Sequence, residues 1–195
     1  MSPIIQTLGN ASAYGYRSFA AADTGSFESI ATATGTGSSA TITFSSIPST
    51  YTHLQIRCIS RSTAGSAGGS GIQITANSDS TSGNYSFHRL VGDGSSASAY
   101  GQSGLDYILV NSNSANTSGM YAVSIIDILD YTSTNKAKTF RTLTGLDLNN
   151  TLGTIAMRSQ GWFATPAAIS SLTFTTSVGN HDTNTHFALY GIKSA

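Results

Sequence analysis

From residue 28 onward, apolar and polar positions alternate in runs of four to nine residues, broken by Gly, Ser, Asn and Pro. Alternation with period two, bounded by turn residues, predicts strands rather than helices. Residues 30–34 and 41–44 flank Gly35-Thr36-Gly37-Ser38-Ser39 and read as a hairpin. Ile47-Pro48 then interrupts pairing, because proline cannot donate to a ladder. In the next run, Leu54, Ile56 and Cys58 face one side, and His53, Gln55 and Arg57 the other. That places Cys58 as a small core residue rather than a nucleophile.

Further strands are expected around Ile72 and Ile74, over 85–90, and over 105–110. Polar loops separate them at 64–70, 92–98 and 111–119. Residues 120–129 are the most apolar segment. Tyr121, Ile125, Ile128 and Leu129 also fit a helix face, but Ile and Val enrichment without a helix start signal favours a buried strand. Residues 139–148 pair with that strand, 152–163 give one or two more, and 169–175 and 186–193 close the domain. About ten short strands predict an all-β antiparallel sandwich, with a jelly roll as the leading topology. Its core is expected to contain Leu54, Ile56, Cys58, Ile126, Ile128, Phe174, Leu189 and Ile192.

Residues 1–27 lack both strand alternation and helix periodicity, yet carry Tyr14, Tyr16, Arg17 and Phe19. They read as an extended arm with aromatic anchors, preceding a sandwich domain over 28–195.

Composition sharpens this picture. The 195 residues include 32 serines, 26 threonines and 20 glycines, and only 9% are charged, with a net charge of zero. A neutral chain offers no electrostatic footprint for nucleic acid. No apolar run approaches the ~20 residues of a membrane-spanning helix, and no secretory leader pattern is visible. The single cysteine excludes an intrachain disulfide and a Cys-based zinc site. A surface so poor in charge also lowers repulsion between copies, which suits an assembled object.

Candidate chemistry is sparse. His181 and His186 flank Asp182, but two histidines five apart on a loop and strand have no specific zinc geometry. The reading is no metal, with one histidine per chain around a threefold axis as the open alternative. No nucleophile elbow is present, since Gly101-Gln102-Ser103-Gly104 lacks the spacing. Asp127 and Asp130 point to opposite strand faces, so they do not form the carboxylate pair a glycosidase needs. The Gly-rich loops are followed by neither a helix nor a P-loop lysine. Trp162, Tyr85 and Tyr107 are candidates for sugar stacking, with a core role for Trp162 preferred. Arg57, Arg89 and Arg141 lie on strands near Asp127 or Asp130. Arg57, Arg89, His181 and His186 are therefore candidate surface or interchain contacts. The chain is expected to be non-enzymatic and to need no cofactor.

Four segments carry a resemblance. They are Ile42-Thr43-Phe44-Ser45-Ser46-Ile47-Pro48 running on to Arg57, Asn84-Tyr85-Ser86-Phe87-His88-Arg89-Leu90 with Gly92-Asp93-Gly94, Ile126-Asp127-Ile128-Leu129-Asp130-Tyr131 with Thr134-Asn135-Lys136, and Phe187-Ala188-Leu189-Tyr190-Gly191-Ile192-Lys193. In this order they resemble small virion structural proteins of tailed bacteriophages. Gly9-Asn10-Ala11-Ser12-Ala13-Tyr14-Gly15-Tyr16 is similar to the N-terminal arms of phage tail-fibre proteins, with Tyr14 where arginine is expected. The resemblance implies a non-enzymatic β-sandwich on the particle surface, commonly a homotrimer, attached to other virion proteins through residues 1–27. A tail-fibre-type appendage meeting a host cell-surface glycan or protein is the first expectation. A capsid decoration or head-fibre protein is the alternative, favoured by the missing fibrous shaft. A carbohydrate-binding module stands well behind.

Overall fold

Strand after strand alternates buried and exposed positions, so that one side of each sheet is dry. In the computed structural model, which describes residues 26–65, 70–112, 119–147, 153–164 and 166–193, twelve strands form two antiparallel sheets. No helix occurs among the described residues. The chain is all-β, as its periodicity predicts.

The larger sheet contains β1 (Phe27–Thr34), β3 (His53–Ser60), β5 (Tyr85–Gly92), β6 (Ala97–Leu105), β8 (Ala122–Leu129), β9 (Lys138–Leu146), β10 (Thr154–Trp162) and β12 (His186–Ile192). Their spatial order is β1-β12-β3-β8-β9-β10-β5-β6. The smaller sheet contains β2 (Thr41–Phe44), β4 (Ser70–Ala76), β7 (Ile108–Ser112) and β11 (Leu172–Thr176), in the order β2-β11-β4-β7.

The core lies between the sheets. Leu54, Ile56, Cys58, Ile126, Ile128 and Leu189 project into it from the large sheet, and Ile72, Ile74, Val110, Leu172 and Phe174 from the small one. Phe174 packs against Phe44 and Phe187, with ring centroids 5.8 and 4.8 Å away. Burial raises the Cys58 thiol to about 12, which keeps it protonated and inert.

Polar side chains join the layers. Gln160 on β10 acts as a surrogate strand for β7. It accepts from the Leu109 amide at 2.8 Å and donates to the Leu109 carbonyl at 3.0 Å. Trp162 donates its indole N–H to Asp79, just beyond β4, at 2.7 Å. Lys138 is buried and donates to the carbonyls of Ser133 and Lys136, so its charge is solvated by backbone.

Four expectations need correction. β1 and β2 do not form a hairpin, because β1 pairs with β12 and β2 with β11 in the other sheet. Backbone bonds that a hairpin would have used go elsewhere: Gly35 and Gly37 donate to the carbonyls of Thr185 and His181. A Cβ on Gly35 would lie 2.1 Å from the Asp182 carbonyl oxygen, so only glycine permits this close crossing. Residues 97–105 form strand β6, although eight of its nine residues are exposed and give no burial pattern to read. The strand expected over 105–110 begins only at Ile108 and extends to Ser112. Ile192 is only half-buried, because it pairs with His53 on the outer side of the large sheet.

Candidate functional site

The outer side of the large sheet is where the structure departs furthest from a plain sandwich. On β10 the small or polar residues Ala156, Arg158 and Gln160 point inward, and Ile155 and Met157 point outward, 58% and 48% exposed. β9 does the same, with Thr142 and Thr144 buried and Leu143 exposed.

Antiparallel register aligns these outward residues into transverse rows. One row runs Arg57, Ile125, Leu143, Met157, Leu90, Ala99 across six neighbouring strands. The next holds Ile59, Val123, Gly145, Ile155 and Gly92. On the other flank lies a polar row of Gln55, Asp127, Arg141, Ser159, His88 and Gly101.

Part of this face is a groove of about 820 Å³, lined by His53, Leu129 and Ile192 at one side, Asp127, Arg141 and Ser159 on the floor, and Met157, Leu90 and Ala99 opposite. Its floor is a hydrogen-bonded relay. Arg57 donates to Gln55 at 3.0 Å, Gln55 donates to Asp127 at 2.8 Å, and Arg141 donates to Asp127 through Nε and Nη2 at 3.0 and 2.6 Å. One carboxylate thus holds Arg141 directly and Arg57 through Gln55, so the relay of these side chains carries two guanidinium groups for one carboxylate. Gly101 lets the His88 ring lie across the edge strand, since a Cβ there would meet Nδ1 at 2.8 Å.

The residues singled out from the sequence scatter over the molecule. Arg57 lies on the outer face, its guanidinium 5.4 and 5.7 Å from the ring centroids of Phe27 and Tyr190. Arg89 faces the opposite side of the sheet and lies 5.3 Å from the Tyr100 ring. His181 is buried, donating from Nε2 to the Phe174 carbonyl at 3.1 Å, and burial lowers its pKa. His186 is exposed at the start of β12. The two histidines therefore do not converge. Trp162 and Tyr85 are core residues stacked 6.4 Å apart, which removes them as sugar platforms. Asp130 ends β8 in the left-handed conformation and pairs with Lys136 at 2.9 Å. Tyr14, Tyr16, Arg17 and Phe19 lie outside the described residues.

Among the described residues, no group of three His, Cys, Asp or Glu side chains is placed to hold a metal ion. The outer aliphatic rows and the inward Arg158 escaped the sequence reading. Their signal was the alternation of Ile155 and Met157 with Ala156 and Arg158, which fixes two opposed faces but not which one is inside. Compared with known proteins, the chain matches no family model, no curated sequence and no solved structure.

Proposed function

We propose that this chain is a non-enzymatic structural subunit of a tailed-phage particle, a short tail-fibre-type appendage that assembles as a homotrimer and attaches through residues 1–27. The observation that carries the assembly is the outer aliphatic face. Ile59, Leu90, Val123, Ile125, Leu129, Leu143, Ile155 and Met157 are all exposed on it, between 37% and 58%. A side chain worth 1.5–3 kcal/mol on burial presents roughly 60–120 Å², so eight at half exposure offer on the order of 250–500 Å². A standard interface takes about 800 Å² per partner, a little over half of it apolar. The occupant that fits is a second copy of this chain, because zero net charge leaves copies free to approach. The trimeric count and the virion setting rest on the resemblance.

The strand orders β1-β12-β3-β8 and β2-β11-β4-β7 support a jelly-roll topology for the sandwich in this proposal, with β5-β6 and β9-β10 widening one sheet.

Light scattering on the eluting protein tests assembly: a trimer is expected, and Leu143→Lys, central on the face, is expected to give a monomer with an unchanged β-type circular dichroism spectrum. Immunogold labelling of particles tests the setting. Label on the tail supports the appendage, label on the head supports the decoration alternative, and label on neither sinks the virion role. A wild-type monomer at high concentration sinks the trimer.

A further inference from the structure

Unpartnered polarity is concentrated in one place. Among the described residues, the buried side-chain polar atoms without a hydrogen-bond partner include Arg158 Nε, Arg158 Nη1, Arg89 Nε and Thr142 Oγ1. These three residues are directly paired neighbours on the inner side of the large sheet, in the row Ile126, Thr142, Arg158, Arg89, Tyr100. The concentration is a property of that row rather than of the core at large.

Arg158 is 1% exposed. Among the described residues, its side chain donates from Nη2 to Asn111 Oδ1 at 2.7 Å, and its guanidinium lies 6.0 Å from the Phe87 ring centroid. Among the described residues, no carboxylate forms an ion pair with Arg158 or Arg89; the five ion pairs use Glu28, Asp127, Asp130 and Asp182 with other cations. Burial, and then the neighbouring Arg89, lower the Arg158 pKa to about 10, so it still carries a full charge at neutral pH. A buried guanidinium beside a second one, with two of its three nitrogens idle, is costly unless an anion completes the arrangement.

The position also has an approach. β7 is the edge of the small sheet and packs over β8, β9, β10 and β5. β6 lies beyond it, and Tyr100, though inward-facing, is 52% exposed. Along the row, exposure falls from Tyr100 through the half-buried Arg89 to the buried Arg158. Guanidinium forks and a hydroxyl match the oxygens of a carboxylate or phosphate.

We infer that Arg89, Arg158 and Thr142 form a binding site for a single oxyanion, a phosphate or carboxylate group, entering between β7 and the β5–β6 hairpin. This is independent of the assembly and of the virion role.

Thermal unfolding with sodium phosphate, sodium acetate, or sodium chloride at matched ionic strength tests it. A rise in Tm of roughly 3–6 °C is expected when the favoured anion is tenfold above its Kd. A rise with phosphate alone identifies a tetrahedral anion, and one with acetate alone a carboxylate. Arg158→Met and Arg89→Met should each abolish the rise while leaving the chloride response unchanged. Arg89 is only half-buried, so if R158M does not fold, R89M decides. The inference is overturned if neither anion exceeds chloride, or if R89M retains the full rise.

Discussion

Asp79 is the point where the end of β4, the start of β5 and the end of β10 are tied together, and Asp79→Asn tests that tie. Its carboxylate accepts from Trp162 Nε1 at 2.7 Å, Asn84 Nδ2 at 2.8 Å and the Thr81 amide at 3.0 Å. The Tyr85 hydroxyl donates to its main-chain carbonyl at 2.8 Å. Partial burial opposes ionisation, but the bonds from Trp162, Asn84 and Thr81 outweigh it and lower the pKa from 3.8 to about 2. That difference corresponds to about 2 kcal/mol of folding stability, in line with hydrogen bonds to a charged acceptor. Asparagine keeps the shape but turns an N–H2 towards one of three converging donors. At pH 7, D79N should therefore unfold about 2 kcal/mol more easily, a loss of roughly 4–8 °C in Tm. Trp162 is the sole tryptophan, so its fluorescence during urea unfolding reports on this site directly. The folded pKa is depressed, so the contribution is fully present above about pH 4 and lost as pH falls through 2. The gap between wild type and D79N should accordingly be flat from pH 7 to 5 and close on approaching pH 2, other carboxylates titrating alike in both. A gap that stays constant down to pH 2.5, or one below about 0.5 kcal/mol at pH 7, would refute the charged acceptor.

Other outcomes follow from burial and register. Ile126→Ala, at a fully buried position between Ile56 and Thr142, should cost about 2–5 kcal/mol in urea unfolding; a loss under about 0.5 kcal/mol would remove β8 from the core. Cys58 should resist a thiol reagent in native buffer and react fully in denaturant, and fast native labelling would contradict its 3% exposure and raised pKa. Deleting residues 1–25, which stops short of Phe27 at the start of β1, should leave the melting temperature nearly unchanged while abolishing incorporation into particles, and normal copy number in particles would remove the arm as the attachment device.

The class of fold was legible in the amino-acid order alone, because period-two alternation and turn residues are local signals. Leu54, Ile56 and Cys58 were legible as one inward face because they alternate with His53, Gln55 and Arg57, and Ile126 and Ile128 because they flank Asp127. The amino-acid order also placed Cys58 and Trp162 in the core. Periodicity separates two faces but does not say which one meets the other sheet. On β9 and β10 the tertiary structure put Thr142, Thr144, Arg158 and Gln160 inside, where cross-strand and inter-sheet hydrogen bonds such as Ser124–Thr144 and Gln160–Leu109 satisfy several of them. Leu143, Ile155 and Met157 were thereby turned outward. Pairing between distant strands was equally illegible: β1 joins β12 rather than its neighbour β2, because the backbone of Gly35 and Gly37 is taken by the 181–185 loop. Both the outer aliphatic rows and the Arg89–Arg158 pair arise from register between β5, β9 and β10, and register is settled only when the whole sheet assembles.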